Sequence, residues 1–200
     1  MFSRRCSARI VFTALFLIYS AGAFSQPKSL ERNLEPVVAP GEKLADFTGA
    51  NLGELFLYAF RNGLWQQIPF QFDEKDTSGN YFISDQIAGL DANDELVFMA
   101  SDAGDRADGS NWIDDETSRN SIRYEIAVAD TLAPGGQAWA YLYRSNTLAL
   151  DPNLTDYVSY SASTTGNAGQ DTVRSLFYEM AHSTNGFPKD LRITTAGGGN

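Results

Sequence analysis

From residue 54 onward the apolar positions fall into short runs, each closed by polar or turn-forming residues. "ELFLYAF" (54–60) is followed by "RNG" and then by "LWQQIPFQF" (64–72). "NYFI" (80–83), "ELVFMA" (95–100), "IRYEIAVA" (122–129), "AWAYLYR" (138–144) and "DYVSYS" (156–161) come after them. Runs of this length, rich in aromatic and β-branched residues, predict strands. "TVRSLFYEMAH" (172–182) fits a helix or a strand, with Tyr, Phe and Val leaning toward the strand. No segment keeps helical spacing over three turns, and no solenoid or propeller repeat is present. The pattern predicts an all-β fold, an antiparallel β-sandwich of jelly-roll or immunoglobulin-like type.

Two hairpins can be placed. Asn62-Gly63 between two apolar runs suits a type I′ turn, which needs positive φ at both central residues. That turn pairs Arg61 with Leu64, Phe60 with Trp65, Tyr58 with Gln67 and Leu57 with Ile68. One face then gathers Leu55, Leu57, Ala59, Ile68, Phe70 and Phe72, an aliphatic core face. The other gathers Phe56, Tyr58, Phe60, Trp65, Gln67, Gln71 and Asp73. "TLAPGGQ" (131–137) joins the runs at 122–129 and 138–144 as a second hairpin, with Pro and Gly in its turn.

The first 25 residues stand apart from this pattern. Arg4, Arg5 and Arg9 precede the apolar run "IVFTALFLIY" (10–19), and small residues follow in "SAGAFSQ". That order predicts a secretory signal peptide with cleavage after Ala23 or Ser25, and hence export to the periplasm, the cell surface or the medium. The single cysteine, Cys6, lies within the signal, so the mature chain has no disulfide and relies on its core. No second segment is apolar enough to span a membrane. Residues 26–44 read as a tether, 45–193 as the β-sandwich domain, and 194–200 as a Gly-rich tail or a truncation point within a longer protein.

Charge narrows the partners. The chain carries 25 acidic and 15 basic residues. Losing the signal removes three arginines and no acid, which moves the net charge from −10 to −13. Such a surface does not attract nucleic acid or anionic lipid. Calcium and neutral sugars are compatible.

Candidate chemistry is of two kinds. Trp65, Gln67, Gln71 and Asp73 on one hairpin face, with Trp139 and Tyr141 on another strand, resemble a sugar platform: rings for C–H faces, amides and a carboxylate for hydroxyls. The competing reading is that a second layer covers these rings, because large aromatic residues are mostly buried. Residues 73 to 116 hold 13 acids against two bases, Lys75 and Arg106. Asp102, Asp105, Asp108, Asn111, Asp114 and Asp115 offer hard oxygens for calcium; Asp91, Asn93, Asp94 and Glu95 form a second group. EF-hand spacing is absent, since the third position from Asp105 is Ala107 and the sixth from Asp91 is Leu96. The competing reading is a solvated loop rich in turn-forming residues.

Catalytic motifs are not found. The mature chain has no thiol and one histidine, His182, with no nucleophile-elbow motif to accompany it. No Gly-rich phosphate loop opens a helix. "IPFQFDE", "DANDELVFMASDAGD" and "YEIAV" together resemble the front of uncharacterised exported bacterial proteins over residues 50–130; that resemblance implies export and a β-rich region and carries no site residue. Three functions fit these observations. One is an exported module binding carbohydrate or a cell-surface ligand, with calcium as a stabilising ion. The others are a non-catalytic N-terminal domain of a secreted polysaccharide-degrading enzyme and a structural module of a surface protein.

Overall fold

A computed structural model of the chain describes residues 25–32, 34–82, 87–130, 135–162, 170–183 and 186–199. The expected signal peptide, apart from Ser25, lies outside these residues, as do Ile83 and residues 131–134 of the second hairpin loop. The described chain is all-β, with twelve strands in three antiparallel four-stranded sheets.

The first sheet has the order β1-β6-β4-β5: β1 (Pro36–Pro40), β6 (Glu95–Met99), β4 (Phe70–Lys75) and β5 (Tyr81–Phe82). The second has the order β3-β2-β8-β7: β3 (Leu64–Gln67), β2 (Leu55–Arg61), β8 (Gln137–Arg144) and β7 (Arg123–Ala129). The third is a meander, β12-β11-β10-β9, built from β9 (Val158–Ser161), β10 (Gln170–Ser175), β11 (Tyr178–Ser183) and β12 (Pro188–Ile193). Short 3-10 turns aside, one α-helix is found among the described residues, α1 (Glu116–Arg119), before β7.

The predicted β2–β3 hairpin forms in the expected register. Arg61 pairs with Leu64, Phe60 with Trp65 and Tyr58 with Gln67. Asn62 and Gly63 take φ of 52° and 79°, as a type I′ turn requires. The run 64–72 does not continue as one strand. Ile68 still donates to the Leu57 carbonyl. Pro69 then follows with no N–H to give, and the chain crosses to the first sheet as β4, pairing with β6. The second predicted hairpin also forms, as β7 and β8. The ambiguous run 172–182 is neither one helix nor one strand but the hairpin β10–β11. Residues 36–40, read as part of a tether, pair with β6 as an edge strand with proline at each end.

The first two sheets face each other across an aliphatic core. Leu55, Leu57 and Ala59 of β2 and Ala138, Ala140 and Leu142 of β8 meet Leu96 and Phe98 of β6. Ile68 is buried with them, while Phe70, Phe72, Ile126 and Val128 are half-buried against the same core. β2 is buried along six consecutive residues, as a strand covered on both faces must be. Its second face is aromatic. Phe56, Tyr58 and Phe60 join Trp139, Tyr141 and Tyr143 of β8 in a separate cluster outside the sandwich core. In the third sheet the row Tyr160, Val173, Met180 and Leu191 crosses all four strands, and Tyr160 and Leu191 are exposed.

Candidate ligand groove

The aromatic face of the second sheet is closed over by the acidic segment itself. That segment reaches the sheet where β2 and β8 part. Gly104 and Trp139 exchange backbone hydrogen bonds of 2.8 and 2.9 Å, and Asp105 donates to the Phe60 carbonyl at 2.7 Å. Only glycine fits at 104, because a Cβ there would lie 2.3 Å from the Phe60 oxygen. Past this anchor Ala107 and Ile113 are buried on the aromatic cluster, with Trp112 packed beside them. The Ala107 N–H donates to the Tyr141 hydroxyl at 2.7 Å. The Arg123 guanidinium lies 5.0 Å from the Trp112 and Tyr141 ring centres and 5.8 Å from that of Trp65. Burial disfavours the phenolates of Tyr141 and Tyr143 and pushes both pKa values up to about 12. Trp139 and Tyr141, expected as ligand contacts, are therefore core residues, 4% and 0% exposed. The apolar pair Trp112-Ile113 inside an acidic run was the local sign of this cover.

The acids of that segment are spread out and serve the cover. Asp102 Oδ2 accepts from the Tyr157 hydroxyl at 2.7 Å, and Asp105 Oδ1 accepts from the Lys28 N–H at 2.8 Å. Asp108 Oδ1 accepts from the Ser110 N–H at 2.8 Å, and Asn111 Oδ1 from the Trp65 indole at 3.1 Å. Asp115 caps α1 by accepting from the Ser118 N–H at 2.7 Å and also accepts from the Thr147 hydroxyl at 2.7 Å. Burial works to raise the Asp115 pKa, but the bonds from Thr147, Ser118 and Ser145 outweigh it and hold the carboxyl below its ordinary value. Asp114 points into solvent, with a 3.4 Å contact to Arg119. Among the described residues no three acidic, histidine or cysteine side chains converge on a metal-sized point.

The second acidic group is likewise built into a turn. Asp94 Oδ2 accepts from the Asp91 N–H at 2.8 Å, and Asp91 Oδ1 from the Asn93 N–H at 2.6 Å. Glu95 pairs with Lys75 at 2.8 Å. Among the described residues the buried Asp91 Oδ2 has no hydrogen-bond partner.

A cation of the protein's own secures the start of the acidic segment. The Lys28 ammonium donates to the carbonyls of Ala100, Ser101 and Ala103 at 3.2, 2.9 and 3.0 Å. Burial, and after it the neighbouring Arg61 charge, lower the Lys28 pKa. Arg61 itself donates to the Asp102 carbonyl and lies 3.7 Å from the Asp102 carboxylate.

An open groove remains where β3 gives way to β4 beneath residues 151–158. It consists of two adjoining clefts that share Pro69 and Thr155. The larger, about 510 Å³, is lined by Arg61, Trp65, Gln66, Gln67, Asp102, Asp151 and Asn153. The smaller, about 270 Å³, is lined by Phe70, Gln71, Val97, Met99, Asp156 and Tyr157. Gln67 shapes the overhang: its amide nitrogen donates to the Tyr58 hydroxyl and the Ala149 carbonyl, and its oxygen accepts from the Asp151 N–H at 2.9 Å. Asp151 Oδ1 in turn accepts from the backbone and side-chain nitrogens of Asn153.

Three of the expected ligand residues, Trp65, Gln67 and Gln71, thus meet in one groove. Asp73 is outside the lining and accepts from the Gln71 amide at 2.6 Å. Arg61, Gln66, Asp151, Asn153 and Tyr157 were not anticipated; the last three arrive on the chain returning after β8, and no local pattern marks them. His182 sits in β11 opposite Asp171 and does not line the groove. No helix among the described residues is long and apolar enough to cross a membrane. In comparison with known proteins, the chain matches no family model, no curated protein and no solved structure, and the reading of the groove rests on its own geometry.

Proposed function

We propose that this chain is an exported β-sandwich module that binds carbohydrate in the groove between β3–β4 and residues 151–158. The observation that supports this reading is the composition of one continuous surface. A half-buried indole lies beside the amides Gln66, Gln67, Gln71 and Asn153 and the carboxylates Asp102 and Asp151. Ring surface suits the C–H face of a pyranose, and amides and carboxylates match hydroxyls that both donate and accept. A concave apolar patch with a few convergent polar groups is the usual form of a small-ligand site. Gln67 orders the wall, while Gln66 and Asn153 are exposed at the opening.

Export rests on the N-terminal pattern of basic, apolar and small residues. Mass spectrometry of exported material is expected to give a mature N-terminus at Phe24 or Gln26; material retaining Met1 contradicts export. For the ligand, a glycan microarray is expected to show binding that falls at least several-fold in Gln66→Ala and Asn153→Ala, with the melting temperature unchanged. An array without a hit, or binding indifferent to both changes, contradicts the groove as a glycan site.

A further inference from the structure

We infer that the groove prefers sugars bearing protonated amines, as in deacetylated amino-sugar chains, over N-acetylated or uronate-bearing ones; this rests on the carbohydrate reading above. Charge inside the groove is unbalanced. Asp102, Asp151 and Asp156 line it with a single cation, Arg61. That cation is engaged, since Arg61 Nη2 is turned to the carbonyls of Ser101 and Asp102 and sits beside the Asp102 carboxylate. Asp102 is further tied to the Tyr157 hydroxyl.

Asp151 and Asp156 keep charge for a ligand. Among the described residues, Asp151 accepts through Oδ1 alone, from Asn153, and Asp156 through Oδ1 alone, from the Val158 N–H at 3.2 Å. An ammonium brings three donors and no acceptor, so it complements such oxygens, and charge-assisted bonds are the stronger kind. A uronate would meet like charge here, and the net charge of −10 on the whole chain has the same sign. N-acetylation removes the cation and keeps the ring but adds an acetyl group, and the carboxylate-to-amide variant separates charge from that added bulk. Both acids are exposed, so the preference is modest and sensitive to salt.

The test uses glucosamine oligomers, N-acetylglucosamine oligomers of equal length and oligogalacturonate, each titrated calorimetrically below the pH at which the amines lose their protons. The glucosamine oligomer is expected to bind about three- to tenfold more tightly than its acetylated counterpart at low salt. That advantage is expected to shrink at physiological salt and in the double variant Asp151→Asn/Asp156→Asn, whose binding of the acetylated oligomer stays near that of the parent. Equal or tighter binding of the acetylated or uronate oligomer by the parent protein overturns the amine preference and leaves the carbohydrate reading standing. No binding of any of the three to the parent overturns the amine preference and, together with an array without a hit, the carbohydrate reading as well. The comparison of ligands on the parent protein decides the matter even if the double variant does not fold.

Discussion

Ile68 is the residue on which both the fold and the groove turn. It is 1% exposed, closes the β2 pairing through its N–H, and precedes the proline that sends the chain to the other sheet. Ile68→Ala is expected to cost about 2–5 kcal/mol in urea denaturation, the range for emptying a well-packed site. Its burial was readable, because alternation from a fixed turn places it with Leu55 and Leu57. The fate of Trp139 and Tyr141 was not, because alternation assigns a side chain to a face without saying what covers that face. The cover has a signature in alkali. Tyr141 and Tyr143, with folded pKa values of about 12, favour the neutral phenol in the folded state. Their contribution to stability is full below the ordinary tyrosine value of about 10 and is lost as pH rises from there through about 12. Ultraviolet titration is expected to show these two phenols ionising last, together with unfolding; their titration near pH 10 in the folded protein contradicts the cover.

At the scale of elements, strands were legible wherever a turn residue bounded them. The register of the β2–β3 hairpin was legible because Asn62-Gly63 dictates its turn and pairing, whereas the end of β3 at Gln67 was not. The β10–β11 turn carries no Gly, Pro or Asn; Ser175 holds it by accepting from the N–H groups of Phe177 and Tyr178. Two strands therefore read as one segment. The acidic segment shows a different limit of local reading. Carboxylate density resembles a cation site, but here the acids meet separate partners: Asp102 and Asp105 bond to Tyr157 and Lys28 far away in sequence, while Asp108 and Asp115 bond to the nearby Ser110 and Ser118. Asp115→Ala removes a helix cap and the Thr147 bond, and is expected to cost about 0.5–2 kcal/mol. Because its folded pKa is depressed, the Asp115 contribution is present above the ordinary aspartate value of about 3.9 and is lost as pH falls below it. Acid denaturation of Asp115→Asn is accordingly expected to depend less steeply on pH than that of the parent. Millimolar calcium tests for a cation site directly: a melting temperature that rises by several degrees and falls back with EDTA marks one, whereas an unmoved melting temperature fits the bonds described here.

For the molecule as a whole, the two facing sheets and the covered aromatic layer bring one stretch of β3 and β4 to the surface beside a returning chain. The half of the groove on β3 and β4 was legible, since Trp65, Gln67 and Gln71 lie within seven residues of one another. The half on residues 151–158 was not, because only tertiary packing brings Asp151 to the cleft of Trp65 and Tyr157 to that of Gln71. The claim that the groove binds sugar is tested most directly by amide and indole chemical shifts of the ¹⁵N-labelled protein during titration with a glucosamine oligomer. The account predicts progressive shifts at the Trp65 indole and the side-chain amides of Gln66, Gln71 and Asn153, with the Trp139 indole unmoved. Shifts confined to the exposed face of β9–β12, or no shifts with either the glucosamine oligomer or its acetylated counterpart, would contradict it.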